Sequence, residues 1–143
     1  MKRAVWFLLL LGAPSLHAAI RGTVFASGGA ALENAHVAVY RRENALDERE
    51  RLAAGRTRGA LASAATDAQG TFAIDPKLQG VFDLQVTRDG YAPWRKFVLA
   101  DDSDLAVELM PAPLRNGRVS AGGKAVAGAI VIVENETGAA WST

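Results

Sequence analysis

The sequence predicts an all-β protein: an antiparallel sandwich of about seven strands, followed by the start of a second sandwich. Three observations predict it. Apolar and polar residues alternate at period two after residue 19. Turn residues recur at spacings of roughly eight to twelve residues. The opening pattern is written a second time from residue 114 onward.

The strands follow in order. Ile20-Arg21-Gly22-Thr23-Val24 alternates, with Ile20 and Val24 on one face, and Ser27-Gly28-Gly29 turns the chain. Ala35, Val37 and Val39 share the next inward face, while His36, Ala38 and Tyr40 point outward. Ala60 to Thr66 is a strand of small residues. Asp67-Ala68-Gln69-Gly70 has the Asp-first, Gly-last composition of a type I turn and leads into Thr71-Phe72-Ala73-Ile74. Pro76 to Gly80 is a loop. Phe82, Leu84 and Val86 alternate with Asp83, Gln85 and Thr87, which predicts one buried and one wet face. Asp89-Gly90 is a turn whose glycine is expected at positive φ. Tyr91 to Leu99 and Asp104 to Met110 complete the set, the latter with Leu105, Val107 and Leu109 inward.

Arg41 to Arg58 breaks this rhythm, being dense in charge and poor in β-formers. A structureless loop of that length is uncommon in a compact domain. Asn44 to Ala54 is expected to form a short surface helix with Asp47 and Arg51 paired at i, i+4. The stretch reads as a solvated insertion of mixed charge; an excursion that contacts a partner is the alternative.

The repeat sets the domain boundaries. Gly22-Thr23-Val24 matches Gly117-Arg118-Val119. With a one-residue shift, Gly28-Gly29 matches Gly122-Gly123, Ala31-Leu32 matches Ala125-Val126, and Ala35, Val37 and Val39 match Ala129, Val131 and Val133. The expected organisation is a signal peptide at 1–18, a first sandwich at 19–110, a stiff linker at 111–113 and a partial second sandwich at 114–143. That second copy stops before the strands that would cover its apolar face. It is expected to be truncated and only loosely docked.

Residues 1–18 carry the marks of a secretory signal peptide: positive Lys2-Arg3, an apolar run from Val5 to Leu11, and Pro14-Ser15 before small residues that suit cleavage after Ala18. The run is shorter than the ~20 apolar residues of a membrane-spanning helix. Export to the periplasm, outer membrane or exterior is therefore expected. Removing Lys2 and Arg3 from a net charge of +1 leaves −1, which offers no electrostatic case for nucleic acid. With no cysteine in the chain, disulfides, thiol nucleophiles and cysteine-ligated zinc are excluded. Hydrophobic residues make up 50% of the sequence, enough for a core that needs no covalent staple.

Taken together, Gly22 and Val24, the Gly28-Gly29 turn, Ala35 with Val37 and Val39, Thr66-Asp67-Ala68-Gln69-Gly70-Thr71-Phe72, the strand of Phe82, Leu84 and Val86, and Gly90-Tyr91 form an ordered set. That set resembles the carboxypeptidase regulatory-like domain, a transthyretin-like Greek-key sandwich. The resemblance covers residues 20–110 and, in part, 114–143. It implies a non-enzymatic module, often in tandem or appended to peptidases, transporters or surface proteins, and often grouped with carbohydrate-binding-like folds.

Little catalytic chemistry is available. His36 is the one histidine beyond the signal segment and lies outward by parity, so a triad or a histidine-based metal site lacks its other parts. Asp101-Asp102-Ser103-Asp104 offers oxygen ligands but lacks the glycine and distal glutamate of an EF-hand, and reads as a polar turn. Asn135-Glu136-Thr137 fits the glycosylation acceptor pattern. Tyr91, Trp94 and Trp141 are the candidates for stacking on a sugar ring, with core or edge packing as their alternative use. No cofactor is expected. The function expected is that of a non-catalytic exported accessory module, used for spacing or protein interaction in a larger cell-envelope or secreted protein. The alternatives are a carbohydrate-binding module and the N-terminal extension of a TonB-dependent outer-membrane transporter. The partner expected is a protein or polysaccharide, with a membrane involved only through the signal peptide or a further downstream region.

Overall fold

A computed structural model describes residues 19–77, 79–112, 116–134 and 140–142, with side chains described as far as residue 131. The signal peptide expected at 1–18 and the Asn135-Glu136-Thr137 acceptor pattern therefore lie outside the described residues. In chain order the elements are β1 (Ile20–Ala26), β2 (His36–Arg41), α1 (Ala45–Ala53), β3 (Ala62–Ala65), β4 (Thr71–Ile74), β5 (Val81–Thr87), β6 (Trp94–Leu99), β7 (Leu105–Leu109), β8 (Ser120–Ala121), β9 (Lys124–Ala125), β10 (Ile132–Glu134) and β11 (Ala140–Ser142).

Two sheets face each other. One has the order β4-β1-β7 and the other β3-β2-β5-β6. The alternation read from sequence supplies their inner faces. Ile20 and Val24, Val37 and Val39, Phe72 and Ile74, Phe82 with Leu84 and Val86, Val98, and Val107 with Leu109 all join one buried cluster. Full burial of such a side chain contributes about 1.5–3 kcal/mol. Leu105, also expected inward, is only partly buried and packs against the cluster's margin.

The antiparallel expectation fails at one pair. β1 runs parallel to β7, with Gly22 beside Leu105 and Val24 beside Val107. A parallel neighbour requires a crossover rather than a hairpin, and here the chain reaches β7 only after building strands of the opposite sheet. Period-two alternation is the same in either direction, so the sequence pattern carries no sign of the orientation.

The Thr66-Asp67-Ala68-Gln69-Gly70 segment is a structural clasp. The buried Thr66 hydroxyl accepts from the Ala35 N–H at 2.8 Å and donates to the Leu32 carbonyl at 2.5 Å. Asp67 Oδ1 accepts from the N–H groups of Gln69 and Thr71, at 3.0 and 2.7 Å. Gly70 sits at φ 74°, and its carbonyl accepts from the Val24 N–H at 2.8 Å. A Cβ there would meet the Val24 carbonyl oxygen. The turn after β5 also behaves as expected, with Gly90 at φ 82°.

Beyond β7, Pro111 bridges to Tyr91 and the Ala112 N–H donates to the Gly90 carbonyl at 2.9 Å. The first residues of the expected linker are thus tied to the sandwich. Farther on, β8 and β9 form a small hairpin in which the Val126 N–H donates to the Val119 carbonyl at 3.0 Å. The equivalent positions of the first copy make the same bond, from Leu32 to Val24, also at 3.0 Å.

Candidate functional site

Register arranges the outer face of the β3-β2-β5-β6 sheet into rows. His36 lies opposite Thr87, Ala38 opposite Gln85 and then Arg95, Tyr40 opposite Asp83 and then Phe97, and Val81 opposite Leu99. Parity is as the sequence implied, but the face is not uniformly wet.

At the Tyr40–Asp83 end it is covered by the charge-dense segment. Asn44 caps α1, its side-chain oxygen accepting from the Asp47 N–H at 2.9 Å. Asp83 is 0% exposed. Its carboxylate accepts from Arg95 Nε at 2.7 Å and from Arg58 Nη1, and Arg95 Nη2 lies 2.6 Å from Oδ2. Arg95 also pairs with Glu48 of α1, which brings the helix over the sheet. Arg58 lies 3.6 Å from Glu43, donates to the Arg41 carbonyl, and stacks over the Tyr40 ring at 4.7 Å. Burial acts to lower the Arg95 pKa, but the hydrogen bond and charge of Asp83, joined by Glu48, outweigh it and raise the value above arginine's ordinary one.

Three expectations are corrected here. Arg41 to Arg58 is not a free solvated insertion; its charges pair across the sheet, and Leu52 is buried. Asp83 and Ala38, expected on a wet face, are buried beneath that cover. Arg51 does not pair with Asp47, which hydrogen-bonds Asn44; it pairs with Glu43 at 3.1 Å and Glu48 at 3.8 Å. The first two share a cause. A carboxylate inside a sheet's outer face requires guanidinium partners, and those partners draw the segment down.

Beside this cluster the face carries an apolar patch. Val81, Phe97 and Leu99 are 42%, 48% and 51% exposed, and the guanidinium groups of Arg42 and Arg95 lie over the Phe97 ring at 5.1 and 5.8 Å. At the opposite end, a groove of about 460 Å³ opens where His36 and Thr87 meet the turn at 88–93. Arg88, Asp89, Tyr91, Pro93 and Asn34 also line it.

Of the residues singled out from sequence, His36 is exposed and lines this groove with Tyr91. Trp94 is half-buried, packs against the core with Tyr91, and shares the inner face with its register partner Val86. The structure does not bring Trp94 into the groove lining. Trp141 falls in β11, where side chains lie outside the described residues. Asp102 serves the β6–β7 turn, its Oδ2 accepting from the Leu99 N–H at 2.8 Å. Among the described residues no group of three His, Asp or Glu is placed to hold a metal, and no helix is long and apolar enough to cross a membrane. Sequence reasoning missed Asp83, Arg58, Arg95 and Arg88. The available signal was an acidic residue amid a strongly apolar strand, facing an arginine-rich segment that lacked β-formers.

Fold and faces together define a β-sandwich module with worked outer surfaces. The family model of the carboxypeptidase regulatory-like domain matches residues 19–110, and the chain belongs to that family. Its members are non-catalytic β-sandwich modules, consistent with an accessory role. No curated protein matches the sequence. Among solved structures, the chain is similar to 3-chlorocatechol 1,2-dioxygenase from Rhodococcus opacus 1CP, with 14% identity and a TM-score of 0.43. That alignment covers 66% of this chain and 59% of the dioxygenase chain.

Proposed function

We propose that this protein is an exported, non-catalytic accessory module that docks a partner protein through the outer face of its four-stranded sheet. The observation that carries the reading is the exposed row of Val81, Phe97 and Leu99, framed by Arg42 and Arg95. Solvent-facing aromatic and aliphatic side chains beside arginine are the composition of interface hot spots. Arg42, which lies over the Phe97 ring, favours a partner that presents acidic side chains around an apolar centre. An N-terminal extension of a TonB-dependent transporter is one setting for such a module. Export rests on the charge and hydropathy pattern of residues 1–18.

Two measurements test the reading. Mass spectrometry of the secreted or envelope fraction is expected to find a mature chain beginning at Ala19; an intact N-terminus retained in the cytoplasm overturns export. A photo-crosslinking residue at Phe97 is expected to give a discrete protein adduct in the cell envelope, whereas one at Thr71, on the other sheet, gives none. Equal labelling at both positions rejects the docking face.

Glycan binding is a second reading, favoured by one observation: Tyr91 lines a groove whose lining includes both hydrogen-bond donors and acceptors.

A further inference from the structure

We infer that Asn116 is a self-modifying site: with Gly117 it closes a succinimide ring, releases ammonia and opens to aspartate and isoaspartate. Asparagine is a thermally labile residue, and its fate in a folded chain depends on the peptide nitrogen that follows it. That nitrogen must reach the side-chain carbonyl, so a following residue without a Cβ and with a permissive backbone favours attack. The chain supplies its own comparison. Among the described residues, asparagine occurs at 34, 44 and 116. After Asn34, Ala35 is fully buried and its N–H is committed to the Thr66 hydroxyl at 2.8 Å. Asn44 is held at the start of α1, its Oδ1 accepting from the Asp47 N–H at 2.9 Å and its Nδ2 donating to Asp47 Oδ2 at 2.8 Å. Asn116 and Gly117 are both exposed and lie outside any strand or helix.

The internal repeat explains why a glycine stands there. Gly117 matches Gly22, and a Cβ on Gly22 would lie 2.4 Å from the Leu105 carbonyl oxygen, so the approach of β7 to β1 excludes a side chain. A Cβ on Gly117 would meet nothing within 4 Å among the described residues. The second copy keeps the glycine without the packing. Asn116 takes the place of Arg21, whose N–H is bound to the Asp102 carbonyl at 2.9 Å.

Water is the only co-reactant. The Gly117 nitrogen gives its proton to a solvent base and bonds to Asn116 Cγ while the Cγ–Nδ2 bond breaks; ammonia leaves, taking up a proton. Water then adds to either ring carbonyl. Opening at Cγ yields aspartate, and opening at the main-chain carbonyl yields isoaspartate, which lengthens the backbone by a methylene. Both products place a negative charge between Arg115 and Arg118, in the stretch that joins β7 to β8.

The test is to incubate the full chain at mildly alkaline pH in heavy-oxygen water, cleave after glutamate in ordinary water, and weigh the fragments. Fragment 109–134 holds Asn116 as its single asparagine, while Asn34 and Asn44 fall in fragments of their own. Fragment 109–134 is expected to exchange ammonia's nitrogen for a heavy oxygen, and to become a substrate of isoaspartate methyltransferase, at least tenfold faster than the other two. Gly117→Val, with its fold checked by a thermal melt, should slow the conversion at least tenfold. Conversion of Asn34 or Asn44 at an equal rate overturns the selection of Asn116 by the fold. Conversion undiminished in Gly117→Val overturns the succinimide route. An Asn116 that stays intact while the free peptide 114–119 converts overturns the site.

Discussion

A fully buried carboxylate is costly unless its lone pairs are engaged, and Asp83 meets that condition with two guanidinium groups on one side of the sheet. Removing the acid leaves Arg58 and Arg95 facing each other, both largely shielded. Asp83→Ala is therefore expected to lower unfolding free energy by ~3–5 kcal/mol in urea titration. The triple variant Asp83→Leu, Arg58→Met, Arg95→Met should regain most of that loss, since an apolar replacement removes the desolvation cost together with the pairing. A triple variant as unstable as Asp83→Ala alone would show that the ion pairs carry net stability. The raised pKa of Arg95 means that its contribution is in place below arginine's ordinary pKa and is lost only as pH rises past it. Stability should therefore not vary through this group across the neutral range. Gly70 presents the other residue-scale constraint. At φ 74°, with the Val24 carbonyl where a Cβ would lie, Gly70→Ala should cost at least ~1–2 kcal/mol, visible as a lower Tm. A wild-type Tm would refute the clasp.

Among the elements, strands and helix differ in what stabilises them. Val39 is fully buried between Ala62 and Leu84 in register, so a charge there has no partner. Val39→Asp is expected to abolish cooperative folding in circular-dichroism melts, and a cooperatively melting variant would reject the inward assignment. α1 buries Leu52 alone and is otherwise held by ion pairs and by its Asn44 cap. Asn44→Ala should cost ~1 kcal/mol. Hydrogen exchange should quicken in α1 while β2 and β5 keep their protection. The strands were legible because burial of one face writes period two into the sequence, and Val37, Val39, Leu84 and Val86 all follow it. The helix was legible as a helix but not as a cover. Its match to the sheet is made by charge, and hydropathy counts Glu48 and Arg58 as solvent-seeking. In the candidate groove, His36 and Tyr91 could be named beforehand, whereas Arg88 gains its meaning only from the turn that brings it beside them.

For the whole molecule, we propose that residues 114–143 begin a second unit that adds little to the first. Val119, Val126, Ile130 and Val131 are all substantially exposed, and Ile130 approaches the turn after α1, where a Cβ on Gly55 would lie 3.4 Å from its Cδ1. Deleting 114–143 is expected to leave the Tm of the first sandwich nearly unchanged. Protection from hydrogen exchange in 116–134 equal to that of β2 would show the two parts to be one cooperative unit. The amino-acid pattern alone specified the β class, the inward residues of nearly every strand and the turn glycines, because each is a local consequence of alternation or of a backbone angle. It was silent on the parallel pairing of β1 with β7, on the burial of Asp83 and Ala38, and on the meeting of Arg88 with Tyr91 and His36. Those depend on which distant segments come to lie against one another. Such contacts are set by the packing of two sheets and by charges seeking partners across them, and no window of neighbouring residues contains that information.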